Sequence, residues 1–258
     1  MKQELHNTLQ QIFLDSKKAV RRIGFQRNKA LIELDKYLIN VESELLKKSI
    51  PVFWAKNDVE KEKLISYILD NSQKDKVITA ENIQEQKNAI LYLQADYLVS
   101  EDASFIFFNQ ENNINSLYAL SDEIIIEIAV DKLISGFERI NELIYTLDLL
   151  RKTPITSIQI FSPFSSKKEK QQLQIIFVEN NVSETLQKAN QRIALSCIDC
   201  GICHRVCPVI QNLKLEIKPI DFIKAKNQTE KESIFQCTLC ELCSMNCPAA
   251  IPIHKLMN

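Results

Sequence analysis

The chain has 258 residues, of which 45% are hydrophobic and 25% charged, with a formal net charge of −1. That is enough apolar residue for a substantial core in about two domains, and the balanced charge gives no net bias toward nucleic acid or a membrane surface. No apolar run approaches the roughly 18 residues of a membrane span, and the start, Met1-Lys2-Gln3-Glu4, lacks the apolar core of a signal peptide.

Residues 1–49 read as a helical segment. Leu5, Leu9, Ile12, Ser16, Val20 and Ile23 keep one face, and Leu31, Leu34, Leu38, Val41 and Leu45 recur at spacings of three and four. Gly24 is the expected break between two helices. Lys17, Lys18, Arg21, Arg22, Arg27 and Lys29 make the segment basic, which reads as a solvated face or a docking strip for an acidic partner.

Residues 50–190 alternate strands with helices, the pattern of an α/β domain on a central sheet. Strands are expected at Ile50–Ala55, Val77–Thr79, Tyr97–Val99, Ser104–Phe108, Glu123–Ile128, Ile155–Ile160 and Leu173–Val178, where β-branched and aromatic residues cluster. Helices are expected near Val59–Asp70, Lys132–Leu150 and from Ser183 into the segment that follows. Only three glycines occur, Gly24, Gly136 and Gly201. Neither a G-x-G-x-x-G turn nor a P-loop can be built from them, so a hydride acceptor of nucleotide type would have to come from another subunit.

Residues 191–258 hold all eight cysteines, in two copies of one spacing: Cys197, Cys200, Cys203, Cys207-Pro208, and Cys237, Cys240, Cys243, Cys247-Pro248. Each copy reads C-x2-C-x2-C-x3-C-P, the ligand run for cubane iron–sulfur clusters. A disulfide framework suits small secreted chains, and zinc sites favour paired C-x2-C knuckles over triplets followed by C-P. Three cysteines at this spacing wrap one cluster, while the fourth ligates the other cluster of the pair. The expected sets are therefore Cys197, Cys200, Cys203 and Cys247 for one [4Fe–4S] cluster, and Cys237, Cys240, Cys243 and Cys207 for the second. Ile198, Ile202, Val206, Leu239, Leu242 and Met245 make the surroundings apolar. Gly201 permits close backbone approach. The second copy has Glu241 in that slot, either facing solvent or close enough to the sulfurs to disfavour reduction. His204 reads as a polar neighbour rather than a ligand. The stretch from Pro208 to Gln236, anchored by Ile220, Phe222 and Ile223, is too long for a hairpin and favours a helical module.

Several stretches resemble the lactate utilization protein B family: Ala95-Asp-Tyr-Leu-Val-Ser-Glu-Asp-Ala-Ser104, the strand-to-helix junction from Glu123 to Ile134, Gln174 to Asn181, and the cysteine runs with the tail Ile251-Pro-Ile-His-Lys-Leu256. The resemblance covers roughly residues 50–256. It implies a lactate-utilization (LUD) domain of the CoA-transferase and ribose-phosphate-isomerase group, joined to a helical two-cluster ferredoxin-type domain. It also implies a cytoplasmic complex that oxidises L-lactate to pyruvate, with a cysteine-rich-motif protein and a second LUD protein as partners. The chain departs from the family where Ala103 and Val130 stand in place of glycines and in its shorter stretch before Ala95, and no LUD-domain site residue is carried over. No other catalytic constellation is present: no G-x-S-x-G elbow occurs, and His6, His204 and His254 are scattered. The sequence thus reads as a non-catalytic electron-transfer subunit. A ferredoxin-like carrier, a scaffold of a different (heterodisulfide-reductase-like) redox complex, and a LUD domain that itself binds substrate are the alternatives.

Overall fold

A computed structural model describes residues 18, 22, 24, 27, 31–80, 88–164, 171–215, 217–224 and 236–257. The helix face from Leu5 to Ile23, Lys17, Arg21, Lys29 and residues 225–235 of the inter-motif stretch lie outside the described residues. The chain divides into two compact units. One comprises Glu33–Phe137 and Ile155–Asn181. The other comprises Met1–Ile32, Glu138–Pro154 and Val182–Asn258, and so carries the cysteines.

The first unit is α/β. Helix α1 (Leu34–Lys47) buries Leu34, Leu38, Val41 and Leu45, the stripe expected from spacing. Strand β1 (Val52–Ala55) leads to α2 (Asp58–Asp70). Asn57 caps α2 by accepting the Glu60 N–H at 3.0 Å, while the Glu60 carboxylate reaches back to the Lys56 N–H at 2.9 Å. There follow β2 (Lys76–Thr79), β3 (Ala89–Gln94), β4 (Tyr97–Val99), β5 (Ser104–Phe108), α3 (Ile114–Leu120), β6 (Glu123–Ala129) and β7 (Leu133–Ile134). After α4 (Ile140–Leu150), which belongs to the other unit, come β8 (Ile158–Phe161) and β9 (Gln172–Val178).

Five strands form a wholly parallel sheet in the order β1-β9-β6-β3-β2. Its interior strands are apolar on both faces, as a covered parallel sheet requires: Ile124, Ile125 and Ile126 of β6 and Ile175, Ile176 and Phe177 of β9 are all fully buried. Ile68 of α2 packs over Ala55, Ile90, Ile125, Ile176 and Val178 on one face. A second sheet has the order β7-β4-β5-β8, antiparallel except where β7 runs parallel to β4. Ala103, in the turn between β4 and β5, takes φ 54°. A left-handed residue is therefore needed where the resembling family has glycine. Val130 sits in an ordinary 3₁₀ turn, where glycine is not required.

Several expectations need correction. Residues 132–139 are not α-helix: Leu133 and Ile134 pair with Leu98 and Val99 between 3₁₀ turns at Val130–Lys132 and Phe137–Arg139, so α4 begins only at Ile140. The helix from Ser183 does not run into the first cysteine loop; α5 spans Val182–Gln187, and a separate 3₁₀ turn covers Arg192–Ser196. Strand β3 and helix α3 were not expected at all. Gly24 itself is helical, its chain neighbours lie outside the described residues, and a Cβ there would lie 3.3 Å from Ala249, so the absent side chain serves close packing. The contact division also departs from the limits 1–49, 50–190 and 191–258. Helix α4 sides with the cysteine-bearing unit, where Glu142 meets Arg22 at 3.6 Å and the Leu150 carbonyl accepts from Arg205.

Candidate iron–sulfur centre

Each cysteine run folds by the same backbone device. In the first, Cys197 ends the 3₁₀ turn, Asp199 and Gly201 take φ 60° and 72°, and Gly201 caps α6 (Ile202–Val206). Cys207 closes α6 and opens α7 (Pro208–Leu213), whose first position is Pro208, where a missing N–H costs nothing. In the second, Leu239 and Glu241 take φ 54° and 62°, and Glu241 caps α8 (Leu242–Met245). The Asp199 N–H points at Cys197 Sγ and the Leu239 N–H at Cys237 Sγ, both at 3.4 Å. Two left-handed residues aim successive N–H groups inward, which is how a short loop encloses an anionic centre.

The two runs share one core. Cys203 and Cys243 are buried in it with Ala194, Ile220, Ile251 and Ile253, while Cys197 and Cys247 pack at its edge. The tail helix α9 (Ile253–Leu256) supplies its last residues. Apart from a 3₁₀ turn, regular structure among the described residues from 191 onward is α-helical, in line with the helical module expected from the length of the inter-motif stretch.

The sulfurs group across the runs. Burial pushes the Cys200 thiol up to about 11, and Cys197 and Cys247 add to the rise. Burial raises Cys203 as well, and the charges of Cys197 and Cys200 add to the rise. Burial also raises Cys247, with Cys197 and Cys243 adding to it. Cys243 is raised by burial too, with Cys237 and Cys207 adding to it. A separate cavity is lined by Cys207, Cys237, Cys240 and Cys243, walled by Ile210 and Phe222. Among the described residues no three His, Cys, Asp or Glu side chains converge as ligands of one metal ion. Four thiols spread round an apolar cavity suit a multi-atom cluster, whose irons would supply the charge that keeps such buried thiols ionised.

The surroundings differ between the runs. Cys200 and Cys203 are buried, as is Ile198, whereas Cys240 is exposed. Leu239, Leu242 and Met245, expected to screen the second centre, are themselves 50%, 37% and 77% exposed. Asp199 is met by Lys218, a contact the sequence did not reveal. Glu241 is exposed at the cavity rim, with Oε1 3.4 Å from His254 Nε2. His204 Nε2 lies 2.9 Å from the Leu215 carbonyl. Of the basic N-terminal residues, Lys18 and Arg22 are exposed, but Arg27 is buried and donates to the Leu195 carbonyl at 3.1 Å, just before the first run. A solvated face does not describe it.

In the α/β unit, Glu127 at the carboxyl end of β6 is buried and pairs with Lys61 at 3.5 Å. At the opposite end, Glu123 and Gln171 line an open cleft of about 410 Å³. Burial raises the Glu123 carboxyl, and the Gln171 amide donates to the carbonyls of Tyr118 and, at 2.8 Å, Ser121.

Residues 193–251 match the family model of the 4Fe-4S dicluster domain. A subunit of the ion-translocating oxidoreductase complex of Buchnera aphidicola is 34% identical over 115 residues, covering 43% of this chain and 24% of that protein. Lactate utilization protein B of Anoxybacillus flavithermus is 24% identical over 191 residues, covering 64% of this chain and 40% of that protein. The same-named protein of Exiguobacterium is 23% identical over 63% of this chain and 38% of its own length. The chain thus spans less than half the length of these relatives. A DUF162 family protein from Deinococcus radiodurans, of known crystal structure, overlays on 56% of this chain and 98% of its own at 13% identity, with a TM-score of 0.42. No helix among the described residues is long and apolar enough to cross a membrane. The chain joins a parallel-sheet α/β unit to a region similar to a 4Fe-4S dicluster domain, whose eight cysteines suit two [4Fe–4S] clusters.

Proposed function

We propose that this chain is the electron-transfer subunit of a cytoplasmic oxidoreductase complex that oxidises L-lactate to pyruvate. The observation that carries the reading is the grouping of cysteines across the two runs around one core, in a chain similar to lactate utilization protein B over both its units. Cys197, Cys200, Cys203 and Cys247 would hold one cluster, and Cys237, Cys240, Cys243 and Cys207 the other. When bound, each cluster supplies one-electron redox chemistry, so a pair can divide a two-electron oxidation into single steps. The protein's own part is to fix the thiolates, direct the Asp199 and Leu239 N–H groups at sulfur, and exclude water around Cys200 and Cys203. The exposed side of Cys240, between Leu239 and Met245, is the edge a redox partner would approach. The expected partners are a cysteine-rich-motif protein and a second LUD protein.

Anaerobic affinity purification from the native cell, followed by addition of L-lactate, tests this. Co-purification of an oxidoreductase and lactate-dependent bleaching of the cluster absorbance are expected. A complex that ignores lactate would overturn the substrate. The similarity to a member of an ion-translocating complex supports a second reading, a carrier or scaffold in a different redox complex, such as a heterodisulfide-reductase-like one. Bleaching by another donor in the same purified complex would favour it.

A further inference from the structure

The residue after the third cysteine differs between the runs: His204 in the first, Ser244 in the second. The His204 ring turns to the Leu215 carbonyl. Ser244 Oγ instead lies 3.9 Å from Cys243 Sγ, within reach of a hydrogen bond to a large sulfur atom. Two contacts from the tail helix hold that hydroxyl. The His254 backbone N–H donates to Ser244 Oγ at 2.9 Å, and His254 Nδ1 lies 2.8 Å from the same oxygen. His254 is itself fixed at the start of α9, and Glu241 faces its far nitrogen across the cavity rim.

A serine hydroxyl has one hydrogen and two lone pairs. The backbone N–H of His254 takes one lone pair. With hydrogens on both ring nitrogens, Nε2 toward Glu241 and Nδ1 toward the hydroxyl, the ring takes the second, and the hydroxyl hydrogen is left to turn toward Cys243 Sγ. We propose that Ser244 is a positioning residue that donates to the Cys243 sulfur, oriented by His254, so that the cluster held by the second ligand set receives a side-chain hydrogen bond. This rests on the assignment of Cys207, Cys237, Cys240 and Cys243 to one cluster. Hydrogen bonds to cluster sulfurs favour the more negative, reduced level and raise the reduction potential. The bond therefore sets the second cluster apart from the first, although the two loops share their backbone.

The test uses the full chain reconstituted anaerobically, with potentiometric titration followed by electron paramagnetic resonance. Ser244→Ala should lower one of the two potentials and leave the other in place, and Ser244→Thr, which keeps the hydroxyl, should restore it. His254→Ala should lower the same potential, whereas His254→Asn, whose amide can replace the Nδ1 donor, should behave as the parent protein. The sign for His254→Ala is decisive. Were the ring to accept from Ser244 instead, removing it would free the hydroxyl for the sulfur and raise the potential, which overturns the proposal. It also fails if Ser244→Ala moves both potentials equally or neither. Should Ser244→Ala hold about four irons instead of the about eight of two cubanes, the His254 pair decides by the same signs. A parent protein without about eight irons would count against the ligand assignment itself, separately from this hydrogen bond.

Discussion

The two cysteine runs share a spacing and a backbone but not an environment. Left-handed residues fall at matching positions, and each run aims an N–H at its first sulfur at 3.4 Å. Around the first run, Cys200, Cys203 and Ile198 are buried, and Lys218 meets Asp199. Around the second, Cys240 and its apolar neighbours face solvent, and Ser244, His254 and Glu241 line or approach the sulfurs. The loop backbone is thus specified by the short repeat. The properties that make one centre differ from the other come from segments that pack against it.

Thiol reactivity in the iron-free protein should show the contrast most strongly. The thiolate is the reactive form, and a thiol pushed from 9.0 to about 11 is ionised about a hundredfold less often at neutral pH. Alkylation followed by peptide mass spectrometry should therefore find exposed Cys240 modified first, with Cys200 and Cys203 at least about a hundredfold slower. The gap with Cys200 should narrow as pH rises toward 11, because only there does the buried thiol ionise. Equal rates at neutral pH would break the comparison. Next in size is Arg27→Ala. Leaving the buried Leu195 carbonyl without its charged donor should cost about 2 kcal/mol, measured by chemical denaturation, and the first-run cluster should be lost before the second. Smaller still are the changes at the shared left-handed slot, where the signs should be opposite. Gly201→Ala meets no atom within 4 Å, so only the backbone resists it, at a cost of about 1–2 kcal/mol. Glu241→Gly relieves the same strain and should stabilise by about 1 kcal/mol or less, with its eight cysteines still binding iron.

The cysteine runs were legible in the sequence because coordination chemistry favours a fixed covalent spacing, which survives any surrounding fold. The parallel sheet was legible for a different reason: Ile124–Ile126 and Ile128 of β6 and Ile175-Ile-Phe-Val178 of β9 concentrate residues that favour strands. Strand β3 was not, since Ala89-Ile-Leu-Tyr-Leu-Gln94 mixes the strand-favouring Ile90 and Tyr92 with helix-favouring Ala, Leu and Gln, and pairing with β2 and β6 decides it. Leu133 and Ile134 fit a helical period equally well until pairing with β4 claims them. Arg27 reads as one more surface cation in a basic stretch, and its burial depends on a carbonyl 168 residues away. The loop with Glu241 takes the same left-handed turn as the loop with Gly201, with φ 62° against 72°. The Ser244–His254 contact left no signal, as ten residues and a change of direction separate its members.

The central claim is that each cluster is held by three cysteines of one run and the fourth of the other. Iron content of paired serine variants tests it most directly. If the ligands cross, Cys197→Ser with Cys247→Ser removes two ligands from one cluster and should leave about four irons, while Cys237→Ser with Cys247→Ser damages both clusters and should leave almost none. The reverse pattern, about four irons in the second pair and almost none in the first, would contradict the account.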